Sequence, residues 1–350
     1  MITVRTITDG DLPLDDCELA SRFSIYHTSL WKERLETTFG HRGCYLVAMA
    51  AGEVLDVLPF FVVTRPAFGK LLISTPYEGC FGGFTSDDPS LRQSLTTEAA
   101  ELSSREGARY VQIRSTRSFP ELHGQGFQEQ HPFFVSAVPL VDGSQNWHML
   151  TPKHRRNVRK ATRNGVEVET TDKTEDFSKF YQLMSEHHRV IGSPFFGKRV
   201  FSTLFGPLVE SGQAVLLMAR HAQRVVGGHL LLRSGRTLIS KYSASQKSGD
   251  ASHLYVGYAL FWKAIELGIK EGFESLNLGI TGRSHTGLLD FKTRFGADTR
   301  DIHFYTRTFK GSAPNYARYY RAYGPFRVAW RYLPELVRST IGDMANRWIC

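Results

Sequence analysis

Two related α/β domains fused in tandem, followed by a helical tail, are what the sequence predicts. Each domain should hold a mixed, mainly antiparallel sheet flanked by helices. Three observations carry this reading. Arg105-Glu106-Gly107 and the following Tyr110-Val111-Gln112-Ile113 recur 165 residues later as Lys270-Glu271-Gly272 and Ser275-Leu276-Asn277-Leu278. In both places an amphipathic helix ends at a glycine, where a left-handed residue closes a helix, and a short strand follows. Upstream of each helix stands a hairpin signal: Tyr45–Ala50 and Val54–Thr64 flank Ala51-Gly52-Glu53, and Ala214–Arg220 and Val225–Leu232 flank His221–Arg224. Length agrees, since 350 residues is about twice a typical domain and enough for two cores.

The first domain, residues 1–150, opens on MITVRTITDGDLPLDD, which turns acidic at once and has no apolar core, so a signal peptide is not expected. A third strand at Lys70–Ser74 follows the hairpin and precedes the helix ending at Gly107. The longest apolar stretch, Val54–Val63, is interrupted by Asp56 and Pro59 and is too short to span a bilayer. The second domain, residues 151–312, begins on a helix: Thr151 suits an N-cap, Pro152 the first helical position and Gly165 the end. Then come a helical stretch at Asp176–Arg189, the second hairpin, a third strand at Thr237–Ser243, and a helix at His253–Glu271 that is apolar nearly all round. Residues 313–350 form a basic, aromatic tail.

Hydrophobic content of 41 % with 22 % charged residues is ordinary globular composition. Cys17, Cys44, Cys80 and Cys350 show neither paired nor metal-ligand spacing, so reduced thiols in a cytoplasmic protein are expected. The net charge of +9 is unevenly placed. In Thr151–Gly165, six basic residues (Lys153, Arg155, Arg156, Arg159, Lys160, Arg163) stand without one acid. Arg155, Arg159 and Arg163 share one face, where like charges four apart repel by a few tenths of a kcal/mol. A solvated face is the plain reading; the missing acids favour an anionic partner, such as a phosphorylated substrate, nucleic acid or lipid headgroup. The tail carries six arginines against Glu335 and Asp343, a net of +4, interleaved with Tyr316, Tyr319, Tyr320, Tyr323, Phe326, Trp330 and Tyr332. That mixture suits contact with an anionic membrane surface, and equally a tail that packs its aromatics on the domains.

The most informative segment lies between Ser275 and Gly296. A strand leads into a loop with Gly279, Gly282 and Gly287, and then into the run GLLDFKTRFG, in which Leu288, Leu289, Phe291 and Phe295 can anchor a short helix while Asp290, Lys292 and Arg294 project elsewhere. Glycines let backbone approach a ligand, and an anchored lysine can hold an oxyanion or phosphate; a surface turn with solvated charges is the alternative. His187-His188-Arg189 ends a helical stretch and has no third ligand at a sensible spacing, so no metal is expected there. Gln246-Lys247-Ser248-Gly249-Asp250-Ala251 has the loose form Q/R-x-x-G-x-G/A just before a helix.

With these residues in view, the chain resembles the Fem-type (FemAB-like) branch of the GNAT acyltransferase superfamily, especially its members linked to exopolysaccharide and exosortase systems. The resemblance runs through nearly the whole chain: His27-Thr-Ser-Leu-Trp31, Val57-Leu-Pro59 and Gly69-Lys-Leu-Leu-Ile-Ser-Thr-Pro76, then Lys153–Ala161, His188–Pro194, Asn277-Leu-Gly279, Gly287–Lys292 with Phe295-Gly296, and Trp330–Pro334. It departs at Ser193, where the family has threonine, and it lacks the inserted coiled-coil arm of the staphylococcal type. The resemblance implies tandem GNAT-like domains and transfer of an acyl or aminoacyl group to an amine or hydroxyl. No cofactor would be tightly bound: acyl-CoA is the expected co-substrate and aminoacyl-tRNA, used by the peptidoglycan members, the alternative. The acceptor would be a small molecule, glycan or peptide of anionic character, met in the cytoplasm or at the inner face of the membrane. Without a G-x-S-x-G elbow, direct attack is expected, with Lys292 as the oxyanion holder and Asp290 or His188 as general base. Gln246, Lys247, Gly249 and Ala251 would hold the coenzyme; Arg155, Arg156, Arg159, Arg189, Tyr255, Asn277 and Arg283 would contact substrate. A non-catalytic protein that docks on an anionic surface is the reading from a different class.

Overall fold

The computed structural model describes the chain except for residues 1, 9, 11, 13–22, 67, 77–81, 247–252, 317–325 and 349–350. In chain order come β1 (Thr3–Ile7), α1 (Ser29–Phe39), β2 (Arg42–Ala50), β3 (Glu53–Arg65), β4 (Gly69–Ile73), α2 (Pro89–Glu106), β5 (Tyr110–Ser115) and β6 (Gln128–Gln130). Next are β7 (Phe133–Pro139), α3 (Gly143–Met149), α4 (Pro152–Arg163), β8 (Glu167–Thr171), α5 (Thr174–Ile191), α6 (Lys198–Glu210), β9 (Ala214–His221), β10 (Arg224–Ser234) and β11 (Thr237–Ser245). The last are α7 (Val256–Lys270), β12 (Ser275–Gly282), α8 (Thr286–Thr293), β13 (Asp298–Asp301), β14 (His303–Thr308) and α9 (Glu335–Trp348).

The strands make two seven-stranded sheets of matching topology, β1-β2-β3-β4-β5-β14-β6 and β8-β9-β10-β11-β12-β7-β13. In the first, every pair is antiparallel except β4 with β5. In the second, β8 to β11 are likewise antiparallel and β11 pairs with β12 in parallel. The duplicated, mixed α/β architecture is therefore present. Its partition along the chain differs from the linear one of 1–150, 151–312 and 313–350. One compact unit holds residues 1–134, 300–321 and 345–350, the other 135–299 and 322–344. The cause is a reciprocal strand exchange: β7 follows β6 in sequence but joins the second sheet, and β14 follows β13 but joins the first.

Local chemistry explains the repeat. The β2–β3 hairpin closes between Ala50 and Glu53, with Ala51 (φ 51°) and Gly52 (φ 87°) both left-handed. The β9–β10 hairpin closes between His221 and Arg224 in the same way, with Ala222 (φ 47°) and Gln223 (φ 65°). Two left-handed central residues match the right-handed twist of the flanking strands. In the first unit α2 lays Leu91, Leu95, Ala99 and Leu102 on Leu46, Leu58 and Phe60. In the second unit α4 and α7 bury Val158, Ala161, Leu260 and Ala264 on Leu217, Leu231 and Leu238. Elsewhere in the second unit, α5, α6 and β11 build an aromatic cluster in which Phe201 meets Phe177, Phe180, Phe205 and Tyr242. Fully burying each such ring contributes roughly 1.5–3 kcal/mol.

Part of the tail packs on the second unit. Trp330 is buried, and Gly342 lies so close to Phe195 that a Cβ there would stand 1.9 Å from its carbonyl oxygen. Asp343 Oδ1 accepts from the Gly197 N–H (2.6 Å) at the start of α6, where a helix favours negative charge. Val328, Tyr332 and Leu336 are exposed. Arg318, Tyr319, Tyr320, Arg321 and Tyr323 lie outside the described residues. So do Cys17, Cys80 and Cys350, whereas Cys44 is a buried free thiol. Among the described residues no helix is long and apolar enough to cross a membrane.

Candidate functional site

Strands β11 and β12 of the second unit run parallel and pair over three residues only, Thr237 with Ser275, Leu238 with Leu276 and Ile239 with Asn277. Both then continue, β11 to Ser245 and β12 to Gly282, without further pairing to each other. The sheet opens there, and backbone groups on the facing edges are released from the ladder. The parting is built by side chains of β12 and α8. Gly279 takes φ 75°, its N–H donates to Asn277 Oδ1 (2.8 Å), and a Cβ on it would lie 3.3 Å from the Ser240 carbonyl oxygen.

Lys292 fixes the same bend from the other side. Its side chain reaches from α8 to β12, where Nζ donates to the carbonyls of Gly279 (2.8 Å) and Ile280 (3.1 Å) and to Thr281 Oγ1 (2.9 Å). The residue is only 4 % exposed, and burial pulls the ammonium down to about 7. Phe295 is fully buried and Phe291 half-buried, as the anchoring pattern requires. The lysine was expected to hold an oxyanion, but here its three protons are spent on the strand. It acts as a positioning residue for the bend.

Gly279→Val tests whether the bend is required. A β-branched residue is a genuine outlier at positive φ, and the Ser240 oxygen crowds it further. The variant should lose about 2 kcal/mol of stability in urea unfolding, and Gly279→Ala about 1. Unchanged midpoints for both would show that the chain does not hold this conformation.

The equivalent position in the first unit is closed. Beyond the two β4–β5 pairs, the Ser74 N–H donates to the Gln112 carbonyl (2.9 Å) and Ser74 Oγ accepts from the Arg114 N–H (2.8 Å). Buried Arg114 fills the space, donating to Gln112 Oε1 (3.0 Å) with its guanidinium 4.7 Å from the Phe304 ring centre. Among the described residues the second unit uses the matching groups otherwise: Ser240 Oγ lies on His229 Nε2 and the Gly279 N–H donates to Asn277 Oδ1.

A second feature of that unit is a groove of about 800 Å³ between α4, α7, α3 and β8. Arg156, Arg159, Arg163 and Lys263 line it with Trp147 and Trp262. Trp147 packs edge-on to Trp262 at 4.8 Å, and the Arg159 guanidinium sits 5.2 Å from the Trp147 ring centre. The basic helix thus turns one side to the core, through His154, Asn157, Val158 and Ala161, and to the groove Arg156, Arg159 and Arg163, which have no acidic partner among the described residues.

The other expected residues scatter. Arg155 donates Nη1 to the carbonyls of His148 (3.2 Å) and Leu150 (3.1 Å), bracing the turn before α4, so its charge serves the backbone. Asp290 is exposed and paired with Arg294 (2.7 Å) on the outer side of α8. His188 stacks on Phe195 at 4.4 Å, and burial, then repulsion from His187, pushes its imidazole to about 3. Neither carries the geometry of a general base. Arg189 pairs with Glu186, and Arg283 lies in the exposed turn after β12. Tyr255, left-handed at φ 56°, starts α7 and accepts from Lys160 Nζ (3.4 Å). Asn277 serves the bend. Gln246 is exposed at the end of β11, its N–H on the Val226 carbonyl (2.9 Å); Lys247, Gly249 and Ala251 lie outside the described residues.

Sequence reading put Arg163 on the basic face of α4 but missed its neighbours Trp147, Trp262 and Lys263, which join it only when α3, α4 and α7 pack. It also missed buried His229, whose Nε2 lies 2.7 Å from Ser240 Oγ beside the opening. Burial holds that imidazole at about 4 and neutral, tying β10 to β11.

Residues 152–293 match the family model of the acetyltransferase (GNAT) domain. Among solved structures, FemX superposes with a TM-score of 0.71 at 15 % identity, over 85 % of this chain and 94 % of FemX. The C-terminal (DUF2156) domain of a putative lysylphosphatidylglycerol synthetase from Agrobacterium fabrum gives 0.54 at 15 %, over 89 % of this chain and 91 % of that one. The L-PGS of Bacillus licheniformis gives 0.53 at 14 %, over 80 % and 92 %. No curated protein sequence matches. The chain is thus a duplicated α/β protein whose residues 152–293 match the acetyltransferase (GNAT) domain. The likeness to FemX is one of fold and spans both halves of the chain.

Proposed function

We propose that the protein is an acyltransferase that seats acyl-CoA in the opening between β11 and β12. It passes the acyl group to an amine or hydroxyl of an anionic, envelope- or polysaccharide-related acceptor held by the basic groove. The single observation that carries this is the opening itself. Released strand edges offer N–H and C=O groups to an extended ligand, and the pantetheine arm of coenzyme A bears two amides able to add to such an edge. The acceptor's lone pair attacks the thioester carbonyl, a C–N or C–O bond forms, the C–S bond breaks, and the acceptor's proton passes by way of water to the departing thiolate. Placement and backbone donors near the carbonyl oxygen supply the rate. The Gln246–Ala251 segment, just before α7, is the proposed pyrophosphate seat.

Aminoacyl-tRNA is the second reading, favoured by the arginines and tryptophans of the groove, since guanidinium groups and stacking rings suit a polyanion. One groove is a small footprint for tRNA. A protein that only docks on anionic surfaces, by the groove and the exposed Val328, Tyr332 and Leu336, is the third, and it fits a cytoplasmic protein working at the inner membrane face. A thermal-shift series with acetyl-CoA, longer acyl-CoAs and aminoacyl-tRNA separates them. At a hundred times its Kd a ligand adds about 2.7 kcal/mol to native stability. Acyl-CoA should raise the melting temperature; a rise with aminoacyl-tRNA alone would replace this reading by the second.

A further inference from the structure

We propose that the first unit carries a divalent transition-metal site formed by Glu129, His131 and His303. The sheet assembles it. In the β6–β14 pairing, Glu129 stands opposite Tyr305 and Gln130 opposite Phe304. Side chains two apart on a strand share a face, so His303 lies on the Tyr305 side, next to Glu129. His131, two residues beyond Glu129, reaches the same place. His303 Nδ1 lies 2.5 Å and His131 Nε2 3.7 Å from Glu129 Oε1, and the two imidazoles meet edge-on at 4.9 Å. One donor atom from each of the three residues falls within 4.8 Å of the others. Around zinc at ~2.0–2.1 Å, tetrahedral donors stand about 3.3 Å apart, so adjustments of about an ångström would seat an ion.

The surroundings orient the ligands. The Phe119 N–H donates to Tyr305 Oη (2.7 Å), and the Tyr305 hydroxyl donates to Glu129 Oε1 (2.9 Å). His123 Nε2 lies 3.0 Å from the other carboxylate oxygen. Groups that hold a ligating carboxylate in this way are a regular part of metal centres. Glu129 and His303 side chains are 15 % exposed, while His131 is 38 % exposed and leaves an entry path. Two imidazoles and one carboxylate suit zinc and its neighbours and leave a coordination position for water or an external ligand. The expectation of no metal, drawn from His187 and His188, did not reach this cluster, in which Glu129 and His303 stand 174 residues apart.

The test is equilibrium dialysis of untagged, chelator-treated protein against zinc chloride, with the visible spectrum of the cobalt(II) form as a second readout. One zinc per chain is expected, with d–d bands of a low-coordinate site for cobalt. His131→Ala, at the exposed edge where folding is least affected, and His303→Gln should each weaken zinc at least tenfold, while circular dichroism stays native. Absence of zinc from the wild type at micromolar concentrations, or equal stoichiometry and affinity in both folded variants, would overturn the site.

Discussion

Reversing the charges of Arg156 and Arg159 to glutamate together should weaken the anionic partner at least a hundredfold, about 2.7 kcal/mol, with folding unchanged. Both side chains line the groove on the exposed side of α4, away from the buried His154, Asn157, Val158 and Ala161. Neither has an acidic partner among the described residues, so no ion pair breaks. The measured quantity is KM or Kd for the acceptor across a salt series. The variant should also lose most of the salt dependence, because fewer counterions are released on binding. Arg155→Glu, whose parent charge rests on the carbonyls of His148 and Leu150, should instead act on stability. Equal affinity in the double variant and the wild type would remove the groove from the acceptor path.

Lys292→Met should cost about 2 kcal/mol of stability at alkaline pH, because Gly279 and Ile280 are left with carbonyls that lose their donor. The pH profile identifies the cause. Folding lowers the lysine from an ordinary 10.5 to about 7, so between these values the unfolded chain binds more protons than the native one. Native stability then rises with pH across that window, by up to about 4 kcal/mol if burial acts unopposed, and is flat below it. Methionine has no proton to bind, so in denaturant titrations the stability balance between wild type and variant should move toward the wild type from pH 7 to pH 10. Turnover should fall about tenfold through kcat as the Gly279 bend loosens and misplaces the carbonyl. A pH-independent gap would mean that the amine is as hydrated in the native protein as in the unfolded chain.

The repeat was legible because local chemistry is written in short range. Ala51-Gly52 and Ala222-Gln223 sit at the same point of two hairpins, and Gly107 and Gly272 end the helices that precede β5 and β12. What stayed hidden depends on distance. β6 and β13 are three- and four-residue strands without a pattern of their own. The exchange of β7 and β14 follows from which sheet edge each reaches, and no residue in either strand states that. At the site, the anchoring of the FK segment was readable from Phe291 and Phe295, but the direction of Lys292 was not, since the carbonyls that capture it belong to a neighbouring strand. His188 looked available from its place near a helix end; only the packing of Phe195 against it shows otherwise.

Backbone hydrogen exchange with and without acetyl-CoA tests the proposed donor seat most directly. Amides at residues 240–246 and 277–282, which line the parting of β11 and β12, should exchange more slowly when the thioester is bound, and the matching segment of the first unit, residues 74–76 and 113–115, should not change. Acetyl-CoA that binds without protecting the second-unit segments, or that protects the first unit instead, would contradict a donor seated in this opening.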